Sequence, residues 1–301
     1  MNNKAFVPSL KSGEFSVELK FEQFSNNIDD YPDGIIIPID KPYRWTSADV
    51  IRKIKYAACR HFGKKKLKVG HAGTLDPLAT GVLLVCIGNA TKLAETLQSH
   101  HKEYIAGISF GATTPSYDLE KEIDAKYPFE HITEEKVAEA LVGFIGEQDQ
   151  IAPLFSAKSI DGVRAYELAR KLYKKDPTSV EAATADLIRT AKIEIFAATL
   201  MRFIPSNIDI FSENINEINE NDGASSRIKV FETSHLGLPR ADVRLSCTKG
   251  TYIRAVARDL GEALNSGAHL DGLIRSKSGD FHLGNCLNIE QAMSLFSFDR
   301  E

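Results

Sequence analysis

One segment constrains this chain more than any other: Gly70-His-Ala-Gly-Thr-Leu-Asp-Pro-Leu-Ala-Thr-Gly81. It holds three glycines, a proline and a single acid, Asp76, and it runs directly into the apolar stretch Gly81-Val-Leu-Leu-Val-Cys-Ile-Gly88. That combination reads as a tight loop feeding a buried strand. A glycine-rich loop ahead of a strand is one way to cradle phosphate. Neither GxxxxGK[ST] nor GxGxxG is present, however, so that reading is weak. An acid fixed in such a loop can act as a nucleophile or a base, and a turn-forming Asp before Pro leaves the same trace.

The remaining pattern mixes strands and helices without a βαβ rhythm, which predicts an α+β fold. Gly34-Ile-Ile-Ile-Pro-Ile39 reads as a buried strand. A helix follows, with Ser47 as its N-cap, Asp49 in its first turn and Val50, Ile51, Ile54 and Ala57 on one face. Tyr104–Phe110, residues 191–204 and Ala241–Ser246 read as further strands. Thr133 caps a helix over 133–145, and another runs through Ile253, Val256, Ala257, Leu260 and Leu264. Tyr166–Lys175 reads as a basic helix. Phe15, Val17, Leu19 and Phe21 alternate as a short strand would within an accessory leader, 1–33. The stretch 207–226, rich in Asn, Glu and Ser, reads as an acidic surface insertion, partly disordered.

Composition enters by exclusion. With 43% hydrophobic and 26% charged residues over 301, the chain is neither collagenous, coiled-coil nor wholly disordered. The apolar run at 81–88 is too short to span a bilayer, and Met1–Pro8 has no apolar h-region. The expectation is a cytoplasmic protein. Cys59, Cys86, Cys247 and Cys286 lack metal-ligand or CxxC spacing, so they read as reduced thiols and no metal site is expected.

The net charge of -4 argues mildly against a nucleic-acid partner, but its distribution does not. Residues 51–70 carry Arg52, Lys53, Lys55, Arg60, Lys64, Lys65, Lys66 and Lys68 and no acid. A polyanion is held by a local basic patch rather than by the average. The plain alternative is a solvated helix face.

Several segments, in order, resemble one family. Gly70–Gly81 resembles the catalytic motif of the TruB family of bacterial tRNA pseudouridine synthases. Asp40-Lys-Pro-Tyr-Arg-Trp-Thr-Ser47 is similar to its first motif, a Lys-Pro loop ahead of a helix, and Lys102-Glu-Tyr104 matches its Lys-x-Tyr motif. Gly111-Ala-Thr-Thr and Tyr117-Asp-Leu-Glu120 follow. Then come Pro153-Leu-Phe-Ser-Ala157, Gly162 and Ala165-Tyr-Glu-Leu-Ala-Arg170. Lys249-Gly-Thr-Tyr-Ile-Arg254 and Gly267-Ala-His-Leu-Asp-Gly-Leu-Ile-Arg275 match the last motifs. The resemblance spans residues 34–282.

The resemblance implies a pseudouridine synthase fold, a mixed and mainly antiparallel sheet flanked by helices with a central catalytic cleft. It implies isomerisation of the T-loop uridine of tRNA, position 55, without any cofactor. It assigns Asp76 as the catalytic carboxylate, attacking the uracil ring or C1′, or stabilising a sugar intermediate. Arg254 matches the arginine that pairs with that aspartate, and an arginine fork stays charged where a carboxylate is desolvated. Tyr104 matches the active-site tyrosine, able to stack on a flipped uracil and to serve the proton steps. Tyr252 and Leu273 match residues lining the base pocket. His71 matches the histidine that replaces the extruded base in the RNA stack. Lys41 and Pro42 are expected to support the loop or touch phosphate. The target atoms of a stacked T loop are unreachable unless the nucleotide is flipped out, and phosphate contacts along 51–70 would offset that cost.

The chain departs from the family in two places. The lysine usual three residues after the serine of the Ser-Ala segment is replaced by Ser159, with Lys158 one place earlier. The tail 283–301 is too short for the C-terminal RNA-binding domain that many members carry. A stand-alone, monomeric enzyme docking the T arm with its catalytic domain is therefore expected, without guide RNA or an obligatory protein partner. The rival readings are a non-catalytic tRNA-binding or folding protein, a guide-RNA-dependent relative and a carboxylate glycosidase. The last would want a second acid, which the loop lacks.

Overall fold

The computed structural model describes residues 24–153, 159–160, 163–164, 190–206 and 228–296. The readings at Phe15–Phe21, the Ser-Ala segment, Tyr166–Lys175 and the 207–226 insertion lie outside these residues. The strands are β1 (Ile35–Lys41), β2 (Val69–Ala72), β3 (Ala79–Ile87), β4 (Lys102–Phe110), β5 (Ala112–Thr113), β6 (Ala125–Lys126), β7 (Gly146–Ile151), β8 (Ser159–Ile160), β9 (Val163–Arg164), β10 (Thr190–Ile204), β11 (Arg240–Cys247), β12 (Ala268–Ser278) and β13 (Phe281–His282). The α-helices are α1 (Ser47–His61), α2 (Ala94–Ser99), α3 (Glu134–Val142), α4 (Ile253–Ala263) and α5 (Ile289–Ser294). The α+β class expected from the sequence is what is found. Among the described residues no helix is long and apolar enough to cross a membrane.

The chain divides into two compact units. The first takes in the described residues up to 104 and those from 274 onward; the second takes in 105–273. In the first unit β1 and β2 pair antiparallel with β3, Ile37 opposite Val85 and His71 also opposite Val85. β-Branched and leucine side chains fill both faces of β1 and β3, as a strand covered on both sides requires. Pro38 sits mid-strand because β1 ends the sheet's strand order, where a missing N–H is tolerated. The open side of β1 is covered by the chain's end: Leu287 N donates to Pro38 O and Asp40 N to Leu287 O. Leu287, Ile289, Ala292, Leu295 and Phe296 are buried, so the residues after 282 belong to this unit's core.

Helix α1 buries Val50, Ile54, Ala57, Ala58 and His61, one continuous face at helical spacing. Its basic side chains Arg52, Lys53, Lys55 and Arg60 are exposed. Its N-cap is Thr46 rather than Ser47. Thr46 and Asp49 form a reciprocal capping box, which frees the Ser47 hydroxyl for another task.

In the second unit β11 and β7 flank β10, both antiparallel. Helix α3 starts at its Thr133 cap as expected but stops at Val142, ahead of Gly143. Helix α4 buries Ile253, Val256, Ala257 and Leu260 and caps at Leu264. The sequence pattern leaves β2, β7, β12 and the short helices α2 and α5 unannounced.

Candidate active site

Asp76 sits half-buried at the tip of a loop gripped from both sides. Leu75 and Leu78, its apolar flanks, are buried and fix the loop to the core. The loop's backbone polar groups need partners there, and buried side chains supply them. Arg275 donates through Nε to Val82 O (2.7 Å), through Nη2 to Gly73 O (3.0 Å) and through Nη1 to Thr74 O (3.4 Å). Ser47 Oγ accepts from Leu75 N (3.0 Å) and donates to Leu75 O (3.2 Å). Lys41 Nζ donates to Pro77 O (3.1 Å), as well as to Pro42 O (2.9 Å) and Trp45 O (2.6 Å). Asp40 Oδ1 accepts from Gly81 N (3.0 Å). The residues immediately before and after Asp76 are thus both held, and the carboxylate is presented on a rigid tip.

Of the two roles open to Lys41, loop support is what its bonds perform: the side chain is fully buried and its three hydrogen bonds go to backbone carbonyls. Burial pushes its ammonium down to about 7. The charges of Asp76 and then Asp40 act in the opposite direction, and Arg275 adds to the lowering. Asp76 therefore shares its loop base with two buried cations. Pro42, half-buried, contributes one of the carbonyls that Lys41 holds.

His71 lies on β2 with its ring half-buried and its Nδ1 without a hydrogen-bond partner among the described residues. Burial first, and then the Arg275 charge, lower its pKa, which keeps the imidazole neutral at neutral pH. Tyr104 is half-buried in β4. Two positions earlier Lys102 is buried and donates to the carbonyls of Gln98 and His100, fixing the turn that leads into the strand. Glu103 accepts from Ser276 Oγ of β12 (2.7 Å).

The second unit carries a second group of expected residues. Arg254, in the first turn of α4, is buried. Its Nη1 donates to Ser116 O (3.1 Å) and lies 3.7 Å from Asp118 Oδ2. Asp118 is itself buried and satisfied: its Oδ1 accepts from Ser116 Oγ (2.6 Å) and Glu120 N (3.0 Å). The turn that presents Ser116 and Asp118 passes through Tyr117 at φ 56° and is pinned to β12 by Leu270 N donating to Tyr117 O (3.0 Å). Arg258, one turn further along α4, lies over the Tyr117 ring at 5.4 Å and donates to Ile151 O. Tyr252, just before α4, is fixed by the buried Gln150 amide, which accepts from Tyr252 N (2.8 Å) and donates to Tyr252 O (3.1 Å). Leu273 is half-buried in β12.

Lys41, Pro42, His71, Asp76 and Tyr104 thus belong to the first unit, and Tyr252, Arg254 and Leu273 to the second. Arg275, Ser47, Asp118 and Gln150 hold these residues in place; the sequence reading gives Ser47 only a helix cap and the other three no role. Arg275 and Asp118 stand inside motifs quoted above, which was their only signal. Their carbonyl and guanidinium partners lie far away in sequence.

Comparison with known proteins bears on this arrangement. Residues 60–201 match the family model described as TruB family pseudouridylate synthase, N-terminal domain. The chain is 50% identical over 260 residues to tRNA pseudouridine synthase B of Phocaeicola vulgatus, covering 86% of this chain and 92% of that one. It is 41% identical over 262 residues to the protein of the same name from Flavobacterium johnsoniae, covering 87% and 95%. Among solved structures, a Cbf5–Nop10–Gar1 complex aligns with a TM-score of 0.54 at 22% identity, covering 95% of this chain and 62% of that one. An H/ACA RNP bound to a substrate RNA containing 2'-deoxyuridine aligns at 0.51 and 21%, covering 86% and 51%. These last two are likenesses of fold.

Proposed function

The chain belongs to the TruB family of pseudouridylate synthases, and from this premise we propose that it isomerises the T-loop uridine of tRNA, position 55, to pseudouridine. The observation that carries the reading is the grip on the Asp76 loop. Reaction at a crowded ring needs its nucleophile fixed to within a fraction of an ångström, and a carboxylate on a loop braced at Gly73, Thr74, Leu75, Pro77 and Gly81 meets that demand.

The reaction breaks the N1–C1′ bond, turns the uracil and joins C5 to C1′. N1 gains a proton and C5 loses one, so no cofactor is required. Asp76 acts as the nucleophilic carboxylate. Arg254, held by Ser116 and Asp118, is by the family resemblance the charge partner of the catalytic aspartate. Tyr104 stacks on the flipped base and serves the proton steps. Tyr252 and Leu273 line the base, and a neutral His71 fills the gap that the flipped nucleotide leaves in the RNA stack. The exposed basic face of α1 and Lys64, Lys65, Lys66 and Lys68 hold phosphates of the T arm. The enzyme works as a cytoplasmic monomer, without guide RNA or protein partner.

The test uses an unmodified tRNA transcript tritiated at uracil C5. The wild type releases tritium, Asp76→Asn does not, and replacing the T-loop uridine with cytidine abolishes release. A wild type that binds the transcript but releases nothing would leave an RNA-binding protein in place of an isomerase.

A further inference from the structure

Pro42, Tyr43, Arg44 and Trp45 form a tight turn closed by Trp45 N donating to Pro42 O (3.3 Å). Its third residue, Arg44, has φ 62°, the left-handed region that a type II turn demands at this place. Glycine occupies that conformation without strain; an arginine does so at a steric cost. Backbone strain of this kind persists where the surroundings over-determine it, and it concentrates at sites where the side chain has a use.

The surroundings here are explicit. The buried Lys41 ammonium holds both ends of the turn, at Pro42 O and Trp45 O, and with its remaining bond holds Pro77 O next to Asp76. Two residues beyond the turn's end, Ser47 bonds both backbone groups of Leu75 on the other side of Asp76. The turn and the Asp76 loop are therefore one rigid body. Arg44 is half-buried on it. Lys53 lies over the neighbouring Trp45 ring at 5.4 Å, so the turn continues the basic face of α1 toward the Asp76 loop.

We propose that Arg44 is a substrate-binding residue whose guanidinium grips a backbone phosphate of the RNA strand beside the flipped uridine. The inference rests on the tRNA reading above. A planar guanidinium binds phosphate bidentately, and here it starts from a backbone that cannot shift relative to the nucleophile loop. The strained backbone at Arg44 is held by the same Lys41 and Ser47 bonds that brace the Asp76 loop, which fixes where its guanidinium can meet the RNA.

The experiment compares Arg44→Gly and Arg44→Lys with the wild type on the same transcript, reading KM, kcat, transcript Kd and the salt dependence of each. Arg44→Gly relaxes the turn while removing the cation. Its Tm is expected to hold or to rise by up to about 4 °C, while KM and Kd rise about 3- to 10-fold with kcat nearly kept. The slope of log Kd against log salt falls by about one. Arg44→Lys keeps the charge and the slope but not the fork, so its KM lies between the two. An Arg44→Gly protein with unchanged Kd and slope overturns the proposal. So does one whose Tm drops, because the side chain then serves the fold. A wild type without tritium release refutes the isomerase reading alone, and the Kd slope still decides Arg44.

Discussion

The ammonium of Lys41 lies 3.1 Å from the carbonyl oxygen of Pro77, the residue after Asp76. That bond joins the end of β1 to the loop ahead of β3 across 36 positions of sequence. A buried lysine is costly unless its donors are all used, and here they are spent on three carbonyls of two adjoining loops. The bracing of the Asp76 loop and the satisfaction of a buried charge are the same interaction.

Lys41 sets a pH signature. Its pKa is about 7 in the folded chain and near the ordinary 10.5 when unfolded. Between those values the unfolded chain binds the extra proton, so this group makes stability increase as pH rises from 7 to 10.5 and contributes no slope below 7. Lys41→Met removes the titration. Urea unfolding of both proteins from pH 6 to 10 should give a wild-type-minus-variant difference that grows with pH, on the order of 1–4 kcal/mol across the range. A flat difference would show the ammonium to be as well stabilised folded as unfolded.

Arg275 fixes the other side of the Asp76 loop, and lysine cannot reproduce its geometry. One ammonium cannot reach Val82 O, Gly73 O and Thr74 O as the planar fork does. If Asp76 acts as proposed, Arg275→Lys should leave KM for tRNA within about twofold and lower kcat by about 10- to 100-fold. Single-turnover tritium release under saturating enzyme separates the two parameters. A rise in KM alone would assign Arg275 to binding instead.

Much of the framework was legible in sequence because hydropathy specified it. The isoleucines of β1, the apolar run of β3, the Thr133 cap of α3 and the stripe of α4 all stand where their patterns put them. Strands β7 and β12 were not legible, for one physical reason. Their polar side chains are neutralised by partners distant in sequence: Gln150 by the backbone of Tyr252, Asp271 by Arg240 (2.8 Å) and Ser109, and Arg275 by the carbonyls of the Asp76 loop. Periodicity counts such residues as exposed. The Ser47 assignment failed more narrowly. Thr46 and Ser47 are both able caps, and Leu75, which claims Ser47, lies 28 positions away. At the candidate site, motif resemblance singled out Asp76, but it could not say which residues hold the loop still.

Gly81 shows how closely the loop's exit is packed. It has φ 97°, and a Cβ there would lie 2.3 Å from the carbonyl oxygen of Arg275 on β12. Neither the backbone of β3 nor that of β12 can yield without breaking the sheet. Gly81→Ala is expected to cost more than about 3 kcal/mol, or to prevent folding. Gly63→Ala is the matched control, since φ is 60° there but the space is open, and it should cost about 1 kcal/mol. Equal Tm values for the two variants would mean that strain at φ, rather than the approach of β12, dominates at Gly81.

Asp118 tests whether Arg254 must be held as well as charged. Asp118→Ala removes the carboxylate near the buried Arg254 guanidinium and, with it, the side-chain acceptor of Ser116 Oγ and Glu120 N. Removing one member of a buried pair is costly, so a loss of about 3 kcal/mol is expected in urea unfolding. Asp118→Asn keeps an acceptor for Ser116 and Glu120 while removing the charge, and should recover roughly half of that stability. Both variants should turn over more slowly than the wild type at saturating tRNA, because Arg254 loses its fixed geometry in each. If Asp118→Asn regains stability and also full kcat, the carboxylate serves the turn alone. If stability returns and kcat stays low, the charge on Asp118 positions Arg254 for the reaction.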